Sequence, residues 1–300
     1  MLAILSVVMP AFIIMATGFY LGKKNNPDLT FTADLGITIF IPCLLFYSIV
    51  TTDISLLELA KIVFYGLTAT LTVAFCAFLL LKHLFRWDER KINSFLLISC
   101  FPNTGNFGLP VALFAFGEIG MAVMLIYTIA QTILVNTLGI YLACKNNYSM
   151  HDSIENVLKM PGISAIAVSI FIKALGISLP EIILRPLYLM AQAVVPVLLI
   201  CVGVQLSRIS PSDIKKLFLP SFIGRFIFYP IIAISIIPLF FDFFSLTAKT
   251  LMIAAFLPTS AASNTFTLKF DPQNDMVPTG TLITNALCIL VLTVVLKFLM

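Results

Sequence analysis

Ten apolar runs, most of them long enough to cross a lipid bilayer as helix, fill this 300-residue chain and leave it little choice of solvent. A bilayer core of about 30 Å takes roughly 20 apolar residues in helical form. The runs fall at approximately 2–21, 35–50, 62–81, 93–116, 121–144, 161–177, 183–206, 217–239, 247–269 and 277–299. Two of them, 35–50 and 161–177, are short, and would stand nearly upright or extend into their polar flanks. Composition points the same way, with 60% apolar residues, 11% charged residues and a mean hydropathy of +1.07. A soluble chain averages about 45–50% apolar and about 25% charged. There are too few polar side chains here to cover an exterior in water. The expected class is an all-α, multi-pass membrane protein.

Orientation follows from the placement of Lys and Arg. The first run has no basic leader and is followed by Lys23 and Lys24, as expected of a retained helix that enters with its N-terminus outside. On that footing twelve basic residues fall in inside connections and five on the outside, with Arg225 within a run. The inside set is Lys23, Lys24, Lys82, Arg86, Arg90, Lys91, Lys145, Lys159, Arg208, Lys215, Lys216 and Lys269. Both termini are then outside, and the polar stretch 145–160 is a cytoplasmic loop.

Several function classes drop out. The net charge of +4 is small and its basic residues are scattered, so nucleic acid is not an expected partner. The six cysteines sit inside apolar runs without a CxxC pair, and the two histidines, His83 and His151, lie far apart in polar connections. No metal site is expected. No nucleotide-binding fingerprint or nucleophile–base–acid set is present, so neither an enzyme nor a cofactor is expected.

The loop at 145–160 divides the chain into 1–144 and 161–300, five runs on each side. An odd number per half means that homologous halves would insert in opposite senses, the inverted-repeat arrangement of many secondary transporters. Pro42-Cys43-Leu44-Leu45 in the second run is echoed by Pro196-Val197-Leu198-Leu199 in the seventh. The fourth and ninth runs also correspond, and both are broken. The fourth carries Pro102-Asn103-Thr104-Gly105-Asn106-Phe107-Gly108-Leu109-Pro110, and the ninth carries Pro258-Thr259-Ser260-Ala261-Ala262-Ser263-Asn264-Thr265. Proline removes a backbone donor, while Asn and Ser compete with the helix for its hydrogen bonds. Irregular backbone at mid-membrane depth survives only where protein buries it or where it lines a cavity. A restarted helix also offers free N–H groups and a positive dipole end to an anion. The alternative is a pair of proline kinks whose Asn and Ser merely satisfy freed carbonyls.

The string from Pro102 to Pro110 closely resembles the fourth-helix motif of the auxin efflux carrier family, which includes the plant auxin exporters and bacterial carriers of malate and malonate. Pro42 through Phe46, Pro196 through Gly203 and Arg225 through Pro230 extend the likeness over most of the chain. The resemblance implies ten helices in two inverted five-helix repeats, a fold similar to sodium/proton antiporters, with helices four and nine crossing at Pro102 and Pro258. It implies a small organic carboxylate at the crossing, with Asn103 as a binding residue and Gln131 in a polar cluster nearby. The charged residues of the third helix in plant carriers have no counterpart in 62–81, so the coupling ion is not carried over.

The expected substrate-binding set is therefore Asn103, Thr104, Gly105, Asn106, Ser263, Asn264 and Gln131, shaped by Pro102, Pro110 and Pro258. Arg225 would either draw the anion toward the cytoplasmic vestibule or snorkel to headgroups. Lys173 reads as a snorkelling anchor and Glu118 as a loop acid. Gly66, Gly139, Gly162 and Gly176 would permit close helix packing. Tyr127 and Gln131 could form a polar stripe on the fifth run, with Asn136 farther along. No acid lies within either break, which argues against a proton exchanger, although a cation exchanger or ion-coupled symporter is the competing class. The bilayer and the anion are the expected partners, and a homodimer is an assembly this reading allows.

Overall fold

The computed structural model describes residues 2–25, 27–28, 30–52, 54–144, 159, 161–207, 214–271 and 273–299. Apart from Lys159, the 145–160 loop lies outside these, as does Arg208. Among the described residues all regular structure is helical, save one isolated two-residue bridge. The helices are α1 (Leu2–Asn25), α2 (30–51), α3 (Leu56–Leu84), α4 (Glu89–Ser99), α5 (104–116), α6 (118–143), α7 (Pro161–Ala174), α8 (Glu181–Ser207), α9 (214–239), α10 (Leu246–Ala255), α11 (Ala261–Phe270) and α12 (Met276–Leu299).

Local chemistry sets the ends. Ser55, Asp88 and Ser245 start α3, α4 and α10, their side-chain oxygens accepting from the amides of Glu58, Lys91 and Ala248. Gly176 closes α7 at φ 65°, with Ile177 N–H donating to the Ile172 carbonyl and Gly176 N–H to that of Lys173. This is a Schellman ending, so Gly176 serves a left-handed turn and not helix packing, and α7 stops three residues short of the expected 177. The second run extends back to Thr30, its short apolar stretch lengthened into polar sequence.

Residues 104–143 form one largely apolar stretch of 40 residues, far longer than one crossing. The chain turns at Gly117, whose φ of 68° and ψ of −159° suit only glycine. It then packs back on itself: a Cβ on Gly108 would meet Met124 Sδ at 2.9 Å.

Polarity is reversed relative to a water-soluble protein. Phe64, Phe75, Ile182, Ile231, Leu290 and Phe298 are exposed, while Asn103, Gln131, Arg225, Thr259, Thr284 and Asn285 are buried. Among the described residues, five helical stretches are long and apolar enough to span a bilayer: Leu56–Leu84, Thr104–Ala143, Glu181–Val204, Leu217–Leu239 and Met276–Leu299. The molecule is an all-helical, multi-pass membrane protein.

The helices gather into two bundles. In one, α1 packs along α8, and α2 packs against α7 and α8. The α1–α8 contact is backbone-close: Gly18 abuts the Ile200 carbonyl, and a Cβ on Gly203 would lie 2.0 Å from the Met15 carbonyl oxygen. The other bundle holds α3, α4, α5, α6, α9, α10, α11 and α12. Gly66 of α3 lets Ala130 and Tyr127 of α6 approach, as its small size suggests. The turn Thr104–Gly108 at the start of α5 faces α8, at the seam between the bundles.

Candidate functional site

Two interrupted helices meet at that seam. Helix α4 stops at Ser99 and α10 at Ala255, each a few residues before a proline. The links between half-helices pair as a short antiparallel bridge. Asn103 N–H donates to the Pro258 carbonyl at 2.8 Å, and Ser260 N–H donates to that of Phe101 at 2.7 Å. The residues in register are Pro102 and Thr259, so the crossing lies one residue beyond the expected Pro102–Pro258 pairing. A Pro102–Pro258 register of the same pattern would need the Thr259 amide and the Leu257 carbonyl, which are held instead by Thr284 Oγ1 and by Arg225.

Thr259 locks the joint. Its hydroxyl donates to the Ile98 carbonyl at 2.6 Å and accepts from Thr284 Oγ1 at 3.0 Å, while its amide donates to Thr284 Oγ1 at 3.1 Å. Thr284 lies on α12, with Asn285 buried beside it in sequence. The sequence reading missed both. Their signal was a Thr-Asn pair close behind Thr279 and Thr281 in a membrane-length run.

The helices restart in matching fashion. Asn103 Oδ1 accepts from Asn106 N–H at 3.2 Å and caps α5, whose first turn is a π-turn over Thr104–Gly108. Ser260 Oγ accepts from Ala262 N–H at 3.2 Å and caps α11. Both new helices thus point positive dipole ends at the crossing.

This bonding fixes Asn103's orientation: Oδ1 is in use, so Nδ2 is the outward group, and it is a buried donor with no protein acceptor. Ser263 Oγ and Asn264 Oδ1 are likewise buried without partners. Thr104 is buried, and Gly105 and Asn106 are half-buried beside them, with open space where a Gly105 side chain would stand. Unpaired buried polar atoms are costly, and the three on Asn103, Ser263 and Asn264 stand on the two helices that restart from the crossing. Pro110 is separate: it lies in the α5 helix, at the N1/N2 position after the π-turn, and not at the crossing.

Arg225 is wholly buried, and its side chain does not reach toward headgroups. Its guanidinium donates to carbonyls of Ser99 at 2.7 Å, Ala255 at 3.1 Å, Ala254 at 3.4 Å and Leu257 at 2.5 Å, and lies 4.1 Å from the Tyr229 ring centroid. Tyr229 Oη is 2.9 Å from Tyr127 Oη and 3.1 Å from Thr70 Oγ1, which accepts from Gln131 Nε2 at 2.9 Å. Gln131 and Tyr127 therefore join a network running to Arg225, and Gln131 Oε1 has no protein partner. Asn136 stands apart, bonded to the Thr132 carbonyl of its own helix. Lys173 donates to the Ile49 and Thr52 carbonyls at the end of α2, a capping role in place of a lipid anchor.

A cavity of about 780 Å3 opens between the bundles, walled by Tyr47 and Ser48 of α2, Tyr188 and Gln192 of α8, and Phe114 of α5. Glu118 lines it, with Glu58, whose carboxylate accepts from Thr247 Oγ1 at 2.8 Å. None of the crossing residues named above is part of that lining. Among the described residues no cluster of His, Cys, Asp and Glu could hold a metal.

The sequence is similar over 212 residues, at 27% identity, to an uncharacterized transporter of Methanocaldococcus jannaschii, covering 68% of this chain and 69% of that protein. The family model described as "Membrane transport protein" matches residues 3–296, nearly the whole length of the chain. The chain belongs to that membrane transport protein family, the auxin efflux carriers.

Proposed function

We propose that the protein is a secondary carrier that moves a small organic carboxylate by alternating access, binding it at the crossing between α4–α5 and α10–α11. The observation that carries this is Asn103. Its Oδ1 is spent on the α5 cap, which leaves a buried Nδ2 able only to donate, beside the N-terminal ends of two helices. Donors and positive dipole ends without an acid describe a receptor for an anion. Ser263, Asn264, Thr104, Gly105 and Asn106 complete the surface, and a substrate supplying both acceptor and donor atoms would satisfy Asn103 and Asn264 together.

Counting α4–α5 and α10–α11 as one span each, we read ten spans, in two inverted repeats over 1–144 and 161–300. We place both termini outside, which puts the cavity between α2, α8 and α5 on the outer side. Rocking of the larger bundle against the α1–α2–α7–α8 bundle would then expose the crossing to each side in turn.

The test is counterflow of labelled malate, malonate and indole-3-acetate in proteoliposomes. Saturable exchange of at least one, abolished in Asn103→Asp, is the expected result. Exchange of none of them, or exchange indifferent to that substitution, would sink the reading.

A further inference from the structure

Four half-helix ends converge on the crossing, and Arg225 contacts only two of them. The carbonyls it holds, Ser99 on one side and Ala254, Ala255 and Leu257 on the other, lie at the C-terminal ends of α4 and α10. Other carbonyls there have donors of their own: Leu96 takes Cys100 N–H, Ile98 takes Thr259 Oγ1, Phe101 takes Ser260 N–H and Pro258 takes Asn103 N–H. The N-terminal ends of α5 and α11 receive nothing from Arg225.

We infer that Arg225 sets the charge preference of the site without touching substrate, by cancelling the two negative helix ends and leaving the two positive ones unopposed. Each end carries about half an elementary charge, so the C-termini of α4 and α10 sum to about −1, which one guanidinium matches. The N-termini of α5 and α11, about +1 together, then face the binding surface uncancelled. The half-helices are long enough for this, at 11 residues for α4, 10 for α10 and 10 for α11. No Asp or Glu lies within 97–110 or 254–267 to reverse the sign. Among the described residues the guanidinium meets neutral carbonyls and a tyrosine ring, so its charge is not spent on a carboxylate.

A fully buried cation is expensive in a membrane protein, and carbonyl capping alone could be done by neutral donors. What a neutral donor lacks is the charge that makes the crossing anion-selective. Arg225 is thus a positioning and selectivity residue, acting through helix ends. This rests on the carboxylate reading above and deepens it.

The experiment is KM for whichever of malate, malonate and indole-3-acetate the wild type exchanges fastest, with thermal unfolding of each variant in parallel. Arg225→Lys keeps the charge and loses most of the carbonyl ties, whereas Arg225→Met loses both. The expected result is a KM about tenfold higher in Arg225→Met than in Arg225→Lys, with the two melting temperatures lowered alike. Should Arg225→Met not fold, Arg225→Gln removes the charge while keeping a neutral donor for the carbonyls, and its KM is expected to exceed that of Arg225→Lys by a similar factor. Equal KM values within each pair would make Arg225 a brace only and overturn the assignment while leaving carboxylate transport standing. A wild type that exchanges none of the three overturns both.

Discussion

Pro102 stands opposite Thr259 in a two-residue antiparallel bridge, and its neighbours exchange the hydrogen bonds that hold the crossing together. The two interrupted helices are therefore tied by backbone, through Asn103 to Pro258 and Ser260 to Phe101, while side chains on either flank stay available. A joint of this kind can move as one piece with its bundle and carry its unpaired polar atoms with it.

Asn103 separates capping from recognition. Asn103→Asp keeps an oxygen for Asn106 N–H and should unfold within about 1 kcal/mol of the wild type, yet it replaces the free donor by a negative charge. Counterflow of any carboxylate is expected to vanish in this variant. Asn103→Ala loses the cap as well, at a cost of about 1 kcal/mol. Thermal unfolding in detergent, set beside counterflow, distinguishes the two.

Thr284→Val removes the acceptor of Thr259 N–H and the donor to Thr259 Oγ1 with little change of shape. Leaving a buried amide unpaired should cost about 1–3 kcal/mol. Chemical denaturation would read this directly, and an unchanged midpoint would mean that α12 does not lock the joint.

Two glycines should answer oppositely to alanine. At Gly203 a Cβ would press into the Met15 carbonyl oxygen, so Gly203→Ala is expected to part α1 from α8 and lower the melting temperature sharply. At Gly105 nothing lies within 4 Å, so Gly105→Ala should melt like the wild type. A raised KM in that variant would show that substrate approaches the backbone there.

Gln192 lines the inter-bundle cavity. With the six native cysteines replaced by serine, Gln192→Cys should react with a membrane-impermeant maleimide added outside intact cells. Labelling only after the cells are opened would reverse the proposed orientation.

Gly117 connects α5 to α6 at φ 68°, a conformation that any side chain strains. Gly117→Ala is expected to cost about 1–3 kcal/mol, seen as a lowered unfolding midpoint.

Membrane residence and the two breaks could be read from the sequence because both are local properties. A run of apolar residues has no stable place in water wherever the chain goes next, and Pro102 or Pro258 withholds its N–H whatever surrounds it. Asn103 was singled out by its place in the break and by the family resemblance, whereas its cap on α5 emerged from the structure. What tertiary structure alone decided is which distant groups share a space. Whether Pro102 meets Pro258 or Thr259 depends on donors 157 positions apart in the chain, and Arg225 reaches the Ser99 carbonyl across 126. Thr284 joins the crossing only because α12 packs beside it. A long, buried side chain is defined by the groups that surround it, and for Arg225 those groups come from α4 and α10, so its role could not be settled before the helices were assembled.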